Sequence, residues 1–254
     1  MKTLRFFLLA LVPALLVLSS FRSTSFASRE VRQLSAFTEL KLAGSPKVVL
    51  RQGSPQKVEL EGAADDLARI ETVVSNGQLR IGTKNNDSRN TGDSDGGLLS
   101  KVLGNNNMNV NIGPVTVYVT MPEIKALSVS GSGSIRAAEA IKASNLDLAV
   151  SGSGSVNLAQ VQSEAIVSAI SGSGAITVVG SAPRHDIRIS GSGNVQSSDL
   201  RAEASKVTIS GSGNCRVNAT KTLDARIAGS GSIYVTGNPQ ISSSIAGSGR
   251  VHRS

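Results

Sequence analysis

The sequence predicts an all-β fold: a single-stranded parallel β-helix, or solenoid, with coils of about 18–21 residues and Gly-Ser-Gly bends. Three observations carry this. A small-residue phrase, aliphatic-Ser/Ala-Gly-Ser-Gly, recurs seven times, starting at Val129, Val150, Ile170, Ile189, Ile209, Ile227 and Ile245. The leading glycines of successive phrases are spaced by 21, 20, 19, 20, 18 and 18 residues. The apolar positions around each phrase alternate with a period of two, as in strands, and not with the helical period of about 3.6.

Each offset has its own chemistry. With the first glycine of each phrase as position zero, −2 is Val or Ile in all seven units. Position +4 holds Ile135, Val156, Ile176, Val195, Cys215, Ile233 and Val251. β-Branched residues favour extended chain, and side chains of equal parity share one face of a strand. That face is expected to point inward through −2, 0, +2, +4 and +6. A unit of about 20 residues cannot bury its apolar face alone, but stacked on like units about 4.8 Å apart it can. Seven such layers span roughly 30 Å.

The glycines are assigned to the bends. They are Gly131, Gly133, Gly152, Gly154, Gly172, Gly174, Gly191, Gly193, Gly211, Gly213, Gly229, Gly231, Gly247 and Gly249. Where two walls meet, a Cβ would collide, and glycine removes it. The intervening serines form an outward column: Ser132, Ser153, Ser173, Ser192, Ser212, Ser230 and Ser248. Their hydroxyls are expected to bond along the stack or to the backbone, and the column is one candidate binding face. A flexible Ser-Gly linker does not explain aliphatic residues at fixed offsets on both sides.

The first half repeats the register once in "LKLAGSPKVVL", with Gly44 at zero, Val48 at +4 and Leu50 at +6. Lys57 to Gly62 alternates as a strand, "ADDLARI" suggests a helical turn, and "TVVSNGQLRIGT" suggests a hairpin turning at Asn76-Gly77. Val115, Val117 and Val119 mark a further strand. Residues 85–109 are rich in Asn, Asp, Gly and Ser and are expected to form a polar excursion loop. The solenoid domain is placed at 36–254, with a polar cap near 241–254. There Ser243, Arg250, His252 and Arg253 would blunt an open sheet edge.

Residues 1–27 have the plan of a secretory signal peptide. Lys2 and Arg5 precede an apolar run from Phe6 to Leu18, and Ser25 to Ala27 suits cleavage. Residues 28–35 form a lead to the domain. The apolar run is short for a bilayer span, so the mature chain is expected to be periplasmic or extracellular, and not membrane-spanning. The lone Cys215 allows no internal disulfide. It occupies a +4 slot, so burial as a small hydrophobe is expected.

The net charge of +8 falls to +5 without Lys2, Arg5 and Arg22. The basic residues are scattered. Phe37, Tyr118 and Tyr234 are the only aromatics after residue 27, too few for stacking on single-stranded nucleic acid. No nucleic-acid partner is expected. Asp87, Asp93 and Asp95 lack the ligand spacing of a calcium loop, so no metal and no cofactor is expected.

Three longer stretches carry a family resemblance: "FTELKLAGSPKVVLRQGSPQKVELEG", "IETVVSNGQLRIGT" and "VTVYVTMPEIKALSVSGSGSI". With the later coils, they resemble the exported bacterial domains named putative auto-transporter adhesin, head GIN domain, over about residues 34–254. The resemblance implies a right-handed parallel β-helix at the cell envelope. It supplies no activity and no catalytic residues.

The functional expectation is therefore a non-enzymatic, adhesin-like or scaffold module, binding an unidentified surface glycan or protein. The oligomeric state is left open. The alternatives are a polysaccharide lyase or hydrolase, or an envelope sensing accessory. A glycosidase needs paired carboxylates. Asp147, Asp186 and Asp224 share position −5, but Lys206 falls between the last two, and Arg188 and Arg226 follow them by two. This pattern suggests a salt-bridge ladder along the stack. His185 and His252 lie in different coils, so no catalytic residues are assigned.

Overall fold

The computed structural model describes residues 28–84 and 113–253. The expected leader and the excursion at 85–109 lie outside the described residues. In chain order the elements are β1 (Ser28–Arg32), β2 (Glu39–Gly44), β3 (Lys47–Gln52), β4 (Lys57–Gly62), α1 (Ala64–Arg69), β5 (Ile70–Ser75), β6 (Gln78–Thr83) and β7 (Thr116–Met121). Then come β8 (Ala126–Gly131), β9 (Ser134–Ala137), β10 (Ile141–Gly152), β11 (Ser155–Gly172), β12 (Ala175–Ser181) and β13 (Arg184–Gly191). The last are β14 (Asn194–Gly211), β15 (Asn214–Gly229), β16 (Ser232–Thr236), β17 (Gln240–Ala246) and β18 (Arg250–Arg253). They coil into a β-solenoid of about 6 turns, not a barrel.

Parallel pairing puts like residues over like. Gly44, Gly131, Gly152, Gly172, Gly191, Gly211 and Gly229 are register partners in succession. Beyond the bend, Val48, Ile135, Val156, Ile176, Val195, Cys215, Ile233 and Val251 form a second file. All but the last are buried, and Cys215 is fully enclosed. The core is thus a set of aliphatic files running the length of the coil, each layer covered by those above and below.

One end of the stack departs from parallel pairing. β6 and β7 form a further layer beneath β2 and β3, parallel to each. β6 ends at Thr83 and β7 begins at Thr116, on either side of the corner where other layers carry Gly-Ser-Gly. β5 then returns antiparallel to β6, through Asn76 (φ 51°) and Gly77 (φ 72°), the two positive-φ positions of a type I′ hairpin. β4 runs antiparallel to β7, and β1 antiparallel to β4. Part of the expected lead is thus a strand. The helical turn α1 carries Asp65 and Asp66 in its first turn and Arg69 in its last, and buries Leu67, an arrangement that suits its dipole.

The bends differ from the expected alternation. The leading glycines do not face inward: Gly131 is exposed, and those from Gly152 to Gly229 are half-buried. They turn the chain with positive φ, from 109° at Gly152 to 132° at Gly229, a region L-residues avoid. The second glycines from Gly133 to Gly231 are buried, for a different reason. A Cβ on Gly154 would stand 2.5 Å from Val129 Cγ1 and 2.6 Å from the Gly133 carbonyl oxygen. One glycine is needed for conformation and the other for close approach.

Most of the difference in coil length is absorbed at one corner, and part of it between Ala202 and Ala204 at the next. Leu158 pairs with Val178, but the next register pair is Val161 with Gly180, so the third coil is one residue shorter there. The fourth coil restores the residue between Thr177 and Gly180. The short coil leaves a notch of about 640 Å³, rimmed by Lys142, Glu164, Arg201 and Glu203 over Pro183.

Candidate binding faces of the solenoid

The outward serine column is where the register predicts it. Ser132, Ser153, Ser173, Ser192, Ser212, Ser230 and Ser248 are all exposed. Their contribution to stacking comes from the backbone and not from the expected hydroxyl bonds. The N–H of Ser153 donates to the carbonyl of Gly131 (3.0 Å), that of Ser173 to Gly152 (3.0 Å), and that of Ser192 to Gly172 (2.9 Å). Among the described residues, no hydroxyl of this column makes a hydrogen bond, so the groups face solvent unengaged.

A second outward surface lies just before the bend. Parallel register stacks position −1 as Ser130, Ser151, Ser171, Ser190 and Ser210, and position −3 as Ser128, Ala149, Ala169, Arg188 and Thr208. Lys41 extends the −3 file one layer lower. Small side chains leave a shallow trough of about 560 Å³ across these layers, with Lys41 toward one end and Arg188 and Thr208 toward the other. Its length is about 24 Å at the strand spacing. The floor is a flat lattice of hydroxyls and methyls, with a cationic side chain at one end, Lys41, and another, Arg188, one layer short of the other.

The −5 file also stacks as expected: Asp147, Val167, Asp186, Lys206 and Asp224 are successive partners. The ion pairs, however, do not climb the stack. Arg188 Nη2 meets Asp186 Oδ2 at 2.8 Å, and Arg226 Nη2 meets Asp224 Oδ2 at 3.1 Å, each along its own strand. Lys206, the register partner of both aspartates, makes no ion pair with either, and the arginine two places on along the same strand takes each carboxylate. Exposed pairs of this kind contribute little to stability.

Sequence reasoning did not find two features. At position +5, Gln196, Arg216, Tyr234 and His252 stack on the wall beyond the bend. Arg216 Nη1 donates to Gln196 Oε1 at 3.2 Å and its guanidinium lies 5.2 Å from the Tyr234 ring centroid. Tyr234 in turn stacks on His252, with centroids 4.9 Å apart and planes at 15°. The shared offset was the available signal. The second feature is a Ser–His contact: Ser168 Oγ lies 3.0 Å from His185 Nε2. These residues occupy adjacent layers but different inward files, and no motif spacing marks them.

The Ser168–His185 pair has the distance of a nucleophile and base but no access to substrate. Ser168 is 0% and His185 1% exposed. Burial lowers the imidazole pKa from 6.5 to about 4, so the ring is neutral near pH 7. His185 Nδ1 and Ser205 Oγ, its register partner in the next layer, are both without partners. The Cys215 thiol is likewise enclosed, and burial pushes its pKa up. Among the described residues, no three His, Cys, Asp or Glu side chains gather as a metal site, and no helix is long and apolar enough to cross a membrane.

These features define a parallel β-solenoid that presents long shallow faces, with its reactive side chains shut inside. The chain belongs to the family described as "Putative auto-transporter adhesin, head GIN domain", whose model matches residues 36–239. Its fold is shared by a "putative adhesin" from Bacteroides fragilis NCTC 9343, at 22% identity and TM-score 0.76, over 90% of this chain and 97% of that one. A "putative lipid binding protein" from Parabacteroides distasonis ATCC 8503 is similar at 23% identity and TM-score 0.68, over 91% and 98%. A "putative adhesin" from Parabacteroides merdae ATCC 43184 follows at 18% identity and TM-score 0.66, over 91% and 97%. No curated protein matches the chain.

Proposed function

We propose that this protein is an exported, non-enzymatic, adhesin-like module of the bacterial cell envelope. Its ligand is a surface glycan or protein, bound along the trough before the bends. The observation that carries the reading is the trough itself. It is a flat lattice of unengaged small residues over about five layer steps, with Lys41 at one end and Arg188 one layer short of the other. Extended polymers bind such surfaces through repeated weak contacts, in which affinity accumulates along the length. The family's name, and the "putative adhesin" relatives of the same fold, support the same class. The apolar run at Phe6–Leu18 supports export.

A glycan and extracellular-matrix array probed with labelled protein tests this. Selective binding is expected, and it is expected to fall at least about tenfold in a Ser151→Arg/Ser171→Arg variant, which fills the trough without touching the core. Binding that survives both substitutions would move the site elsewhere. Cleavage of any arrayed polymer would overturn the non-enzymatic reading.

A further inference from the structure

The open end of the stack carries a self-complementary edge. β17 pairs with β15 below it, and β18 with β16; among the described residues neither has a strand above. In the −2 file, Ile227 is 2% exposed, whereas Ile245, the last member, is 43% exposed. The charge expected of a cap lies on β18, in Arg250 and Arg253; β17 has none, and no proline within it. Exposed edges are ordinarily guarded by such residues, so β17 stands out as unguarded.

Its sequence from Ile241 to Ile245 reads Ile-Ser-Ser-Ser-Ile, the same in both directions. Antiparallel pairing about a two-fold axis through Ser243 would set Ile241 of one copy opposite Ile245 of the other. Ser242 would oppose Ser244, and Ser243 would oppose itself. The inward side chains of both copies would stay inward, because the parity on either side of Ser243 is equal.

The backbone has the matching polarity. In this wall the outward residue Asp147 donates to the carbonyl of Lys125 in the layer below. In a parallel ladder the amides and carbonyls of alternate residues point to opposite neighbours. The inward residues Ile241, Ser243 and Ile245 therefore present their amides and carbonyls to the empty side. A two-fold at Ser243 faces each of these with another of the same set, as a hydrogen-bonded antiparallel pair requires.

We propose that two copies of this protein join end to end through β17, antiparallel about Ser243, making one continuous solenoid with its two N-terminal ends outward. Such isologous pairing is the commonest closed symmetry. It covers Ile245 and doubles the length of the outward faces.

The test is sedimentation equilibrium of the purified protein over a range of concentrations, with two further variants. Dimer is expected for the wild type. Ile245→Lys is expected to abolish the dimer while the circular dichroism and melting temperature of the monomer stay unchanged, since this side chain is already exposed. Ser243→Cys is expected to cross-link under mild oxidation, and Ser242→Cys, offset from the axis, is not. A monomer at every concentration would overturn the proposal and leave the edge to an extended segment of another protein. So would a dimer that survives Ile245→Lys, or one that cross-links through Val31→Cys at the opposite end and not through Ser243→Cys.

Discussion

Replacing Gly154 by alanine tests whether the bends set the spacing of the layers. The new Cβ would stand 2.5 Å from Val129 Cγ1 and 2.6 Å from the Gly133 carbonyl oxygen. Carbon atoms pack at about 3.5–4.0 Å, so the overlap with Val129 is about 1 Å. Neither neighbour can yield freely. Val129 is buried in the −2 file, and the Gly133 carbonyl accepts the N–H of Ser155 at 3.0 Å. Overpacking of this kind costs about 1–3 kcal/mol. The stiffer unfolded chain returns about 0.4–1 kcal/mol, leaving a net loss of about 1.3 kcal/mol. For a domain of this size that corresponds to a fall of about 3–5 °C in Tm. Gly53→Ala is the comparison, because its Cβ would meet nothing closer than Thr120 Cγ2 at 3.5 Å. Calorimetry of the two variants beside the wild type is the assay, with hydrogen exchange to show whether protection drops first in β8–β11. Equal stability of the two variants would refute the close-packing account and return the phrase to the status of a loose linker.

Other perturbations give separate readouts. The unfolded chain protonates His185 near pH 6.5 and the folded chain only near pH 4, so stability rises with pH across that window and is lost as pH falls through it. The loss approaches about 3 kcal/mol at the lower limit. His185→Leu is expected to flatten this part of the urea-midpoint profile between pH 7 and pH 4.5, and an unaltered slope counts against the buried neutral ring. Cys215, enclosed with its thiol pKa raised by burial, is expected to resist Ellman's reagent at pH 8 until denaturant is added; rapid labelling of the native protein would place it outside the core. Gln52 ties three segments together. Its amide donates to the carbonyls of Lys142 (2.8 Å) and Pro122 (3.2 Å), and its Oε1 accepts the Lys142 N–H at 2.7 Å. Gln52→Ala is expected to cost about 0.5–1.5 kcal/mol and to loosen the start of β10 in hydrogen exchange; unchanged protection there would show the bridge to be incidental.

The legible part of this fold was the part that repeats. Offsets −2 and +4 marked the inward files because burial on one side of a strand writes an alternation into the sequence, and seven copies raise it above chance. Asn76-Gly77 was readable as a turn because few residue pairs accept two positive φ values in succession. The inward assignment of the leading glycines was not readable correctly, since glycine has no side chain to report which way it points. The −5 file was read correctly as a column and incorrectly as a ladder. Register determines which residues are stacked, but not the direction in which a long, flexible side chain such as Arg188 leans.

The trough before the bends drew no attention from sequence reasoning, although its serines belong to the same phrase as the +1 column. Ser151 and Ser171 became a surface only when Lys41, from a distant part of the chain, and Arg188 were placed toward its ends. The notch by Pro183 has the same origin. The spacings of 21 to 18 residues declare unequal coils, but the corner that absorbs each missing residue depends on which layer-to-layer pairs hold their register.

By itself the sequence determined the periodic features: strand parity, the positions that must be glycine, the direction of the serines and the burial of Cys215. These follow from the chemistry of one coil, and each coil states them again. Tertiary structure alone decided what depends on neighbouring layers and on the ends of the stack. That includes the antiparallel closure by β1, β4 and β5, the enclosure of Ser168 beside His185, and the bare edge of β17. The physical reason is that a repeat encodes contacts with a copy of itself, and at an end the next copy is missing.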